Sequence, residues 1–292
     1  MSFFISPNSL RCFCDIIIDS FTTNIIIKNN RPLLIFCFKN TIKRFFTEVM
    51  PCIQVPFILI THNSDYSHPS LEGSNPNPEG SFLEYLSNPL LLLWACQNCN
   101  VDPKDYPKML PIPIGVIGHP RISIESYYHL PDPLKAPVDY WSILYYYNKK
   151  QKPMKDRQPL IHAGCWHVVG QRKNIIPTLP STLINTPVVI DEYYGGLIPE
   201  YEDYIKSIGE YQFILSPMSN GMDCYRSWEA LTVGTIPIVP ECTINSIFND
   251  LPVIIVRDYT EITRERLDAF LVEYSERYSQ YNFKKLYTEY WI

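Results

Sequence analysis

Short, uninterrupted apolar runs alternate with turn-rich polar stretches through the first half of the chain. The runs at residues 25–28, 33–38, 57–60, 90–98 and 108–115 predict strands. A short helix is predicted over residues 82–87, after a Gly-, Pro-, Asn- and Ser-rich loop at 70–80. Continuous apolar runs of this length are typical of strands in a parallel sheet covered on both faces.

Strand-like runs alternate with helix-like patterns in the second half. Strands are predicted at residues 160–163, 187–190 and 251–256, and helices after Arg172, near 199–208 and from about Thr263. This alternation predicts a parallel α/β domain.

A polar, Lys-containing stretch at residues 147–159 predicts a linker between the two halves. The expected fold is α/β with two domains, at residues 1–152 and 153–292. Two such domains would place a ligand between the carboxyl ends of their strands.

The strongest single signal lies over residues 213–239. There a buried strand, a Gly-containing loop, a short helix, a Gly and a second buried strand follow one another. Asp223 is predicted to cap this helix and Gly234 to occupy its C′ position. Arg226 and Glu229 are three residues apart near the helix start, so they share one face.

A cation and a carboxylate at the carboxyl end of a strand suit the phosphate and ribose of a nucleotide. Arg226 would neutralise a diphosphate leaving group, and Glu229 would accept both ribose hydroxyls. Asn220 and Gly221 would let backbone N–H groups approach phosphate oxygens. The structural alternative is a surface Arg226–Glu229 pair worth about 0.2–0.5 kcal/mol.

The composition limits the kinds of partner that the protein is expected to bind. A net charge of −5 without a basic run argues against nucleic acid, although a few local cations suffice for a sugar nucleotide. Nine Cys without a framework favour reduced thiols, and the pair Cys96/Cys99 lacks partners for a zinc site. No signal peptide or membrane-spanning stretch is predicted, which favours a cytoplasmic protein or a fragment of a longer one.

Three familiar motifs are missing from the sequence. Neither GxxxxGK[ST] nor GxGxxG occurs, which argues against P-loop and dinucleotide chemistry. No Asp-x-Asp is present to hold a divalent ion, so no metal is expected.

The segments LSPMSNGMDCYRSWEAL (215–231), GTIPIV (234–239) and LPVIIV (251–256) resemble the donor-binding half of exostosin-like GT-B glycosyltransferases. The similarity is to the ribitol xylosyltransferase type, including relatives encoded by large DNA viruses. It is motif-specific over roughly residues 160–263 and weaker over 57–115. Members often have His where this chain has Tyr225.

The resemblance implies a GT-B fold of two Rossmann-like domains, a UDP-sugar donor, inversion at the anomeric carbon, a glycan or glycoprotein acceptor and no metal. Family likeness alone suggests UDP-xylose as the donor. Arg172, after the strand at 160–163, is a second phosphate-binding candidate, with a surface cation as its alternative. The predicted donor-binding residues are Arg226, Glu229, Asn220, Gly221, Asp223, Tyr225, Arg172 and Ser216.

An inverting transfer needs a base that deprotonates the acceptor hydroxyl. The segment at residues 61–65, which follows a predicted strand of the first domain, offers Asp65 as first choice and His62 as second. The alternative is that Asn63 and Asp65 shape a turn while His62 packs. The residues predicted to line the acceptor pocket are Asn63, Asn98 and His119.

Two other functions stay open. A GDP-sugar enzyme, such as a fucosyltransferase, would share the fold but bind a different nucleotide. A non-catalytic nucleotide- or glycan-binding relative would retain the donor site and lack turnover.

Overall fold

A computed structural model describes residues 3–19, 31–38, 41–72, 75–117, 138–163, 165–167, 172, 175–184, 189–191 and 201–292. These residues form a mixed α/β structure with one five-stranded parallel sheet, one four-stranded parallel sheet and a separate parallel pair of strands. The predicted strand at 25–28 and the candidate residue His119 lie outside the described residues.

The first sheet has five parallel strands in chain order. They are β1 (Ile16–Ile18), β2 (Leu33–Phe38), β3 (Phe57–His62), β4 (Leu91–Gln97) and β5 (Met109–Ile112). The predicted strands at 33–38, 57–60, 90–98 and 108–115 are confirmed, and β3 continues two residues further, to His62. Because every strand runs in the same direction, the segments after β3, β4 and β5 emerge at one edge of the sheet.

The helices of the first half are short. They are α1 (Pro7–Cys12), α2 (Ile42–Arg44), which continues as a π-helical turn at Phe45–Val49, and α3 (Val138–Lys149). Ser6 caps α1, because its hydroxyl accepts from Ser9 N–H while the Ser9 hydroxyl accepts from Ser6 N–H. The helix predicted at 82–87 is a 3-10 turn at Leu83–Ser87.

The second half contains β6 (Gln158–His162), β7 (Cys165–His167), β8 (Val189–Asp191), β9 (Tyr211–Leu215), β10 (Ile236–Pro240) and β11 (Ile254–Val256). Strands β6, β9, β10 and β11 form the second sheet in that order, and β7 pairs with β8. Its helices are α4 (Tyr201–Gly209), α5 (Tyr225–Thr232) and α6 (Arg264–Arg277). Thr263 caps α6, since its hydroxyl accepts from Arg266 N–H at 3.2 Å.

The helix predicted after Arg172 is corrected. In the described residues after Arg172 the chain forms 3-10 turns at Ile176–Thr178 and Ser181–Leu183 instead of an α-helix. Pro177 and Pro180 account for the difference, because proline supplies no N–H for helical hydrogen bonds and clashes with the preceding turn.

The predicted linker is largely ordered against the second half. Helix α3 extends to Lys149 and β6 begins at Gln158, so both ends of the 147–159 stretch lie in regular elements. Asn148 Nδ2 and Gln151 Nε2 both donate to the carbonyl oxygen of Thr232, at 2.6 and 2.9 Å. The connection is therefore a docked segment and not a free tether.

The two halves share their larger apolar core. That core contains Phe36 and Trp94 from the first half together with Trp228 and Phe248 from the second. A smaller core lies wholly in the second half, between its sheet and α6.

The chain beyond α6 returns to the first half as 3-10 turns at Tyr278–Gln280, Phe283–Leu286 and Thr288–Tyr290. Ile5 N–H donates to Leu286 O at 2.9 Å, and Thr288 N–H donates to Phe3 O at 2.9 Å. The two ends of the chain are thus hydrogen bonded to each other.

In the parts of the chain that the structure describes, none of the helices combines the length and the apolar character needed to cross a membrane.

Candidate functional site

The β9–α5–β10 unit forms as predicted, and it carries the candidate site. Helix α5 begins at Tyr225 with Cys224 as its N-cap, one residue later than the predicted cap Asp223. Gly234 follows the helix at φ +78°, which confirms the predicted C′ position. A Cβ at Gly234 would lie 2.5 Å from Gln151 Oε1, so the side chains of the docked segment 150–157 pack closely against this glycine.

Glu229 points into the structure from the middle of α5. Its side chain is 3% exposed, and Oε1 accepts hydrogen bonds from Tyr201 Oη–H at 3.1 Å and Ile117 N–H at 3.4 Å. Burial raises its pKa above the usual range, which these hydrogen bonds and Arg226 partly offset. A carboxylate has about four acceptor positions, so Glu229 can accept further hydrogen bonds from a ligand.

Arg226 lies one turn earlier on α5 and is half-buried. The Tyr204 hydroxyl lies beside both Arg226 and Glu229, and burial raises the pKa of Tyr204 above its usual value. Arg226 is also close enough to His162 and Arg172 to lower the pKa of each, after the larger effect of burial. Positive charge therefore concentrates beside the start of α5, at the end of the helix where the dipole is also positive.

Arg172 is buried and braces the loop between β9 and α5. Its Nε donates to Met218 O at 2.6 Å, and Nη2 donates to Pro217 O at 3.2 Å. Burial lowers the pKa of the guanidinium, which stays protonated at neutral pH because arginine starts far above it. Arg172 thus holds the loop in shape and adds a second cation next to Arg226.

Asp223 makes a structural contact between the two halves. Oδ2 accepts from Ile114 N–H at 2.7 Å and from Trp228 Nε1–H at 2.8 Å, while Oδ1 accepts from Cys224 N–H at 2.8 Å. Burial raises its pKa to about 6 despite these donors. The carboxylate is fully engaged in hydrogen bonds within the protein. Asp223 therefore shapes the predicted donor site through these contacts and not by facing the ligand.

Two other predicted donor residues have structural surroundings. The buried Ser216 hydroxyl pairs with that of Ser227 at 2.8 Å, which joins the end of β9 to α5. Tyr225 is half-buried at the first position of α5, and its ring packs against the larger core.

Asn98 connects the first half to the loop of the second half. It follows β4 at φ +50°, and its Oδ1 accepts from both Met222 N–H and Asp223 N–H at 3.1 Å. Its Nδ2 donates to Ser64 O at 3.0 Å. A Cβ on Gly221 would lie 2.7 Å from Asn98 Nδ2, so this glycine is needed for the approach of Asn98. The fully buried Asn98 therefore holds the halves together and does not line an open acceptor pocket.

The two predicted candidates for the base, at and just after the end of β3, differ in exposure. Asp65 is exposed, and its Oδ2 accepts from Asn220 Nδ2 of the opposite half at 3.4 Å. His62 is fully buried: Nδ1 accepts from Asn63 N–H at 2.8 Å, and Nε2 donates to Pro113 O at 2.9 Å. Both ring nitrogens of His62 are thus engaged, which removes it as a base, whereas Asp65 is free of burial.

Asn63 itself serves the turn. Its backbone has φ +68°, and its N–H also donates to Gln97 Oε1 at 2.7 Å. This is the turn-shaping role weighed as its alternative.

Three residues of the candidate site were not predicted from the sequence. Tyr201 and Tyr204 reach Glu229 from α4, a contact that no local pattern signals. His162 was assigned only to a strand, although its place at the carboxyl end of β6 is where ligand residues of α/β sheets are expected.

No family model fits the chain, and no curated protein matches it.

Proposed function

We propose that this chain is a GT-B glycosyltransferase that moves a sugar from a UDP-sugar to a hydroxyl of a glycan acceptor, with inversion and without a metal. The observation that carries the proposal is the grouping of Arg226, Arg172 and the carboxylate of Glu229 beside the carboxyl ends of the second sheet. Two cations suit a diphosphate, and a carboxylate suits a ribose diol.

The donor's contacts follow from the geometry of α5. Arg226 is half-buried and can reach a ligand, so it would bind the diphosphate and neutralise the charge that develops as UDP leaves. Glu229 would accept the ribose hydroxyls while Tyr201 and Ile117 keep its orientation fixed. The raised pKa of Glu229 is held down in part by these donors, which favours the ionised acceptor form.

The catalytic base would come from the first half of the chain, opposite the donor site. Asp65 is exposed and in contact with Asn220, so its carboxylate faces the loop that leads into α5. Asp65 would take the proton of the acceptor hydroxyl as the oxygen attacks the anomeric carbon. The bond from that carbon to the UDP oxygen breaks on the opposite face, and its electrons leave with UDP.

Calorimetric titration of the purified protein with UDP and GDP, in the presence of EDTA, tests the proposal. Selective UDP binding without metal supports it and justifies a screen of UDP-sugars. Selective GDP binding would instead indicate a GDP-sugar as the donor, with the same fold. Binding of neither nucleotide would overturn the assignment of the site.

Turnover separates an enzyme from a non-catalytic binder. A glycosyltransferase slowly transfers its donor sugar to water, so the correct UDP-sugar should release UDP over hours even without an acceptor. Tight UDP binding with no hydrolysis of any UDP-sugar would favour the non-catalytic relative.

A further inference from the structure

His162 lies where the order of strands reverses. On one side β6 pairs with β9, and on the other side Ile161 forms an isolated parallel bridge with Ile184. The chain after β6 therefore goes first to one side of this strand and later to the other. In open α/β sheets ligands bind outside the carboxyl end of the strand at such a reversal, and His162 is the last residue of β6.

The imidazole is buried with one nitrogen engaged and one not. The residue is 4% exposed, and Nε2 pairs with the Ser207 hydroxyl of α4 at 2.8 Å. Nδ1 makes no hydrogen bond with another residue that the structure describes, and only the backbone of His162 itself lies beside the ring. A buried polar atom without a partner destabilises the folded state, so its retention calls for an explanation.

Charge near the ring indicates the kind of group that would pair with Nδ1. Burial, and then the positive charge of Arg226, lower the pKa of His162 to about 4. The ring is therefore neutral at pH 7, and its proton can sit on either nitrogen. Next to Arg226, which also lies near Arg172, the remaining partner that fits best electrostatically is an anionic oxygen.

We propose that His162 belongs to the diphosphate site of the donor, where Nδ1–H donates to a phosphate oxygen while the Ser207 hydroxyl donates to Nε2. This inference rests on the proposed function, because it takes the ligand to be a nucleoside diphosphate. Ser207 can act as donor or acceptor, so it permits the tautomer that the anion requires. A neutral donor also binds the anion without adding a third cation beside the two arginines.

Two substitutions separate the nitrogens. The amide of Gln reaches the position of Nε2 and keeps the contact with Ser207, whereas the amide of Asn reaches the position of Nδ1. We expect His162→Gln to keep its thermal stability and to bind UDP about 10- to 100-fold more weakly, as expected for a lost hydrogen bond to a charged group. His162→Asn should be the less stable protein and should lose only about threefold in UDP affinity.

If the role of His162 is only structural, the two variants should show the opposite order of UDP affinities. If His162 only fastens β6 to α4, His162→Gln binds UDP like the wild type, and this result would overturn the inference while UDP binding by the wild type upholds the proposed function. Titration with inorganic pyrophosphate distinguishes the His162 inference from the proposed function in the opposite case. Wild-type protein that binds pyrophosphate but not UDP, with weaker binding in His162→Gln, would sink the proposed function and leave the anion site standing.

A measurement on the unaltered protein covers the case in which either variant fails to fold. In ¹⁵N NMR of the His162 side chain, saturating UDP should fix the proton on Nδ1 and leave Nε2 as the acceptor. A spectrum in which Nδ1 stays unprotonated after UDP has bound would refute the proposal.

Discussion

Three acidic side chains near the contact between the halves differ in their surroundings. Asp223 and Glu229 are buried and accept hydrogen bonds from backbone and side-chain donors. Asp65 is exposed and contacts only Asn220 across the halves through its carboxylate in the described hydrogen bonds. A base must reach its proton and then release it, so the exposed carboxylate suits that task and the buried pair suits fixed acceptor roles.

Substitution of Asp65 tests this assignment. Asp65→Asn keeps the size of the side chain and removes the proposed base, so transfer should fall by about 100- to 10,000-fold while UDP affinity stays unchanged. The measurements are initial rates with the donor found by screening, and UDP calorimetry. Glu72→Gln, also exposed in the first half, is the control and should leave both values as in the wild type. Near-normal turnover in Asp65→Asn would assign the base to another residue.

Asp223 should make stability depend on pH in an unusual direction. Its pKa is raised from 3.8 to about 6, so the folded state binds a proton that the unfolded state has already released in this window. Stability from this group is therefore highest below pH 4 and falls as the pH rises through 6, by about 3 kcal/mol in all. Above pH 7 the loss is complete.

Urea unfolding of wild type and Asp223→Asn between pH 4 and pH 7.5 isolates this contribution. The variant loses hydrogen bonds at every pH, but its stability relative to the wild type should rise by about 2 kcal/mol across that range. A difference between the two proteins that does not change with pH would show that Asp223 stays ionised throughout.

At the scale of elements, local patterns and long-range contacts were predictable to different degrees. The strand, loop, helix and Gly of the β9–α5–β10 unit follow from consecutive residues, and so they could be read from the sequence. In residues 175–184, which the structure describes, the helix expected after Arg172 is replaced by 3-10 turns because Pro177 and Pro180 override the weaker helical pattern. The contact of Tyr201 with Glu229 depends on how α4 packs on α5, which no spacing within either helix encodes.

The candidate site shows the same division. Arg226 and Glu229 were predicted from their spacing on one helix, and the structure brings both together with Arg172. The engagement of Asn98 with the 222–223 peptide and of His62 with Pro113 could not be foreseen, because each joins segments far apart in the chain. Burial of a polar residue is decided by such contacts, and its residue type alone does not reveal it.

Gly115 shows how closely elements of the first half approach the N-terminal segment. It has φ +76°, and a Cβ there would lie 2.0 Å from the carbonyl oxygen of Ile5. That same carbonyl accepts from Val116 N–H at 2.8 Å, so the backbone has no room to shift without losing a hydrogen bond.

Gly115→Ala should therefore lower the free energy of unfolding by about 3 kcal/mol, from the clash and the left-handed backbone together. Urea unfolding measures the effect. Gly209→Ala is the matched control, because a Cβ on Gly209 meets nothing within 4 Å, and its stability should change by less than about 0.5 kcal/mol. Equal effects in the two variants would contradict the close approach of Ile5.

At the scale of the whole molecule, polar contacts fix how the halves meet. Asn98 holds the 222–223 peptide, Asp223 holds Ile114 N–H, and Thr243 Oγ1 donates to Cys99 O at 2.8 Å. The Asn98 and Asp223 contacts lie on the loop that leads into α5, whereas Thr243 lies beyond the end of β10. The geometry of the proposed donor site thus depends on the first half, although its charged residues all come from the second.

Removing the Asn98 side chain should loosen that loop without unfolding either half. Asn98→Gly tolerates the φ of +50° and deletes the acceptor of two amides, so the Met222 and Asp223 N–H groups should exchange with solvent about 10- to 30-fold faster. Hydrogen-exchange NMR gives the rates residue by residue. Asn100→Ala is the control, because the Asn100 amide bonds Ser70 within the first half, at 3.0 Å from Ser70 N and 2.8 Å from Ser70 O. Wild-type protection of both amides in Asn98→Gly would mean that the apolar core alone holds the halves together, and UDP affinity should then also be unaffected by the substitution.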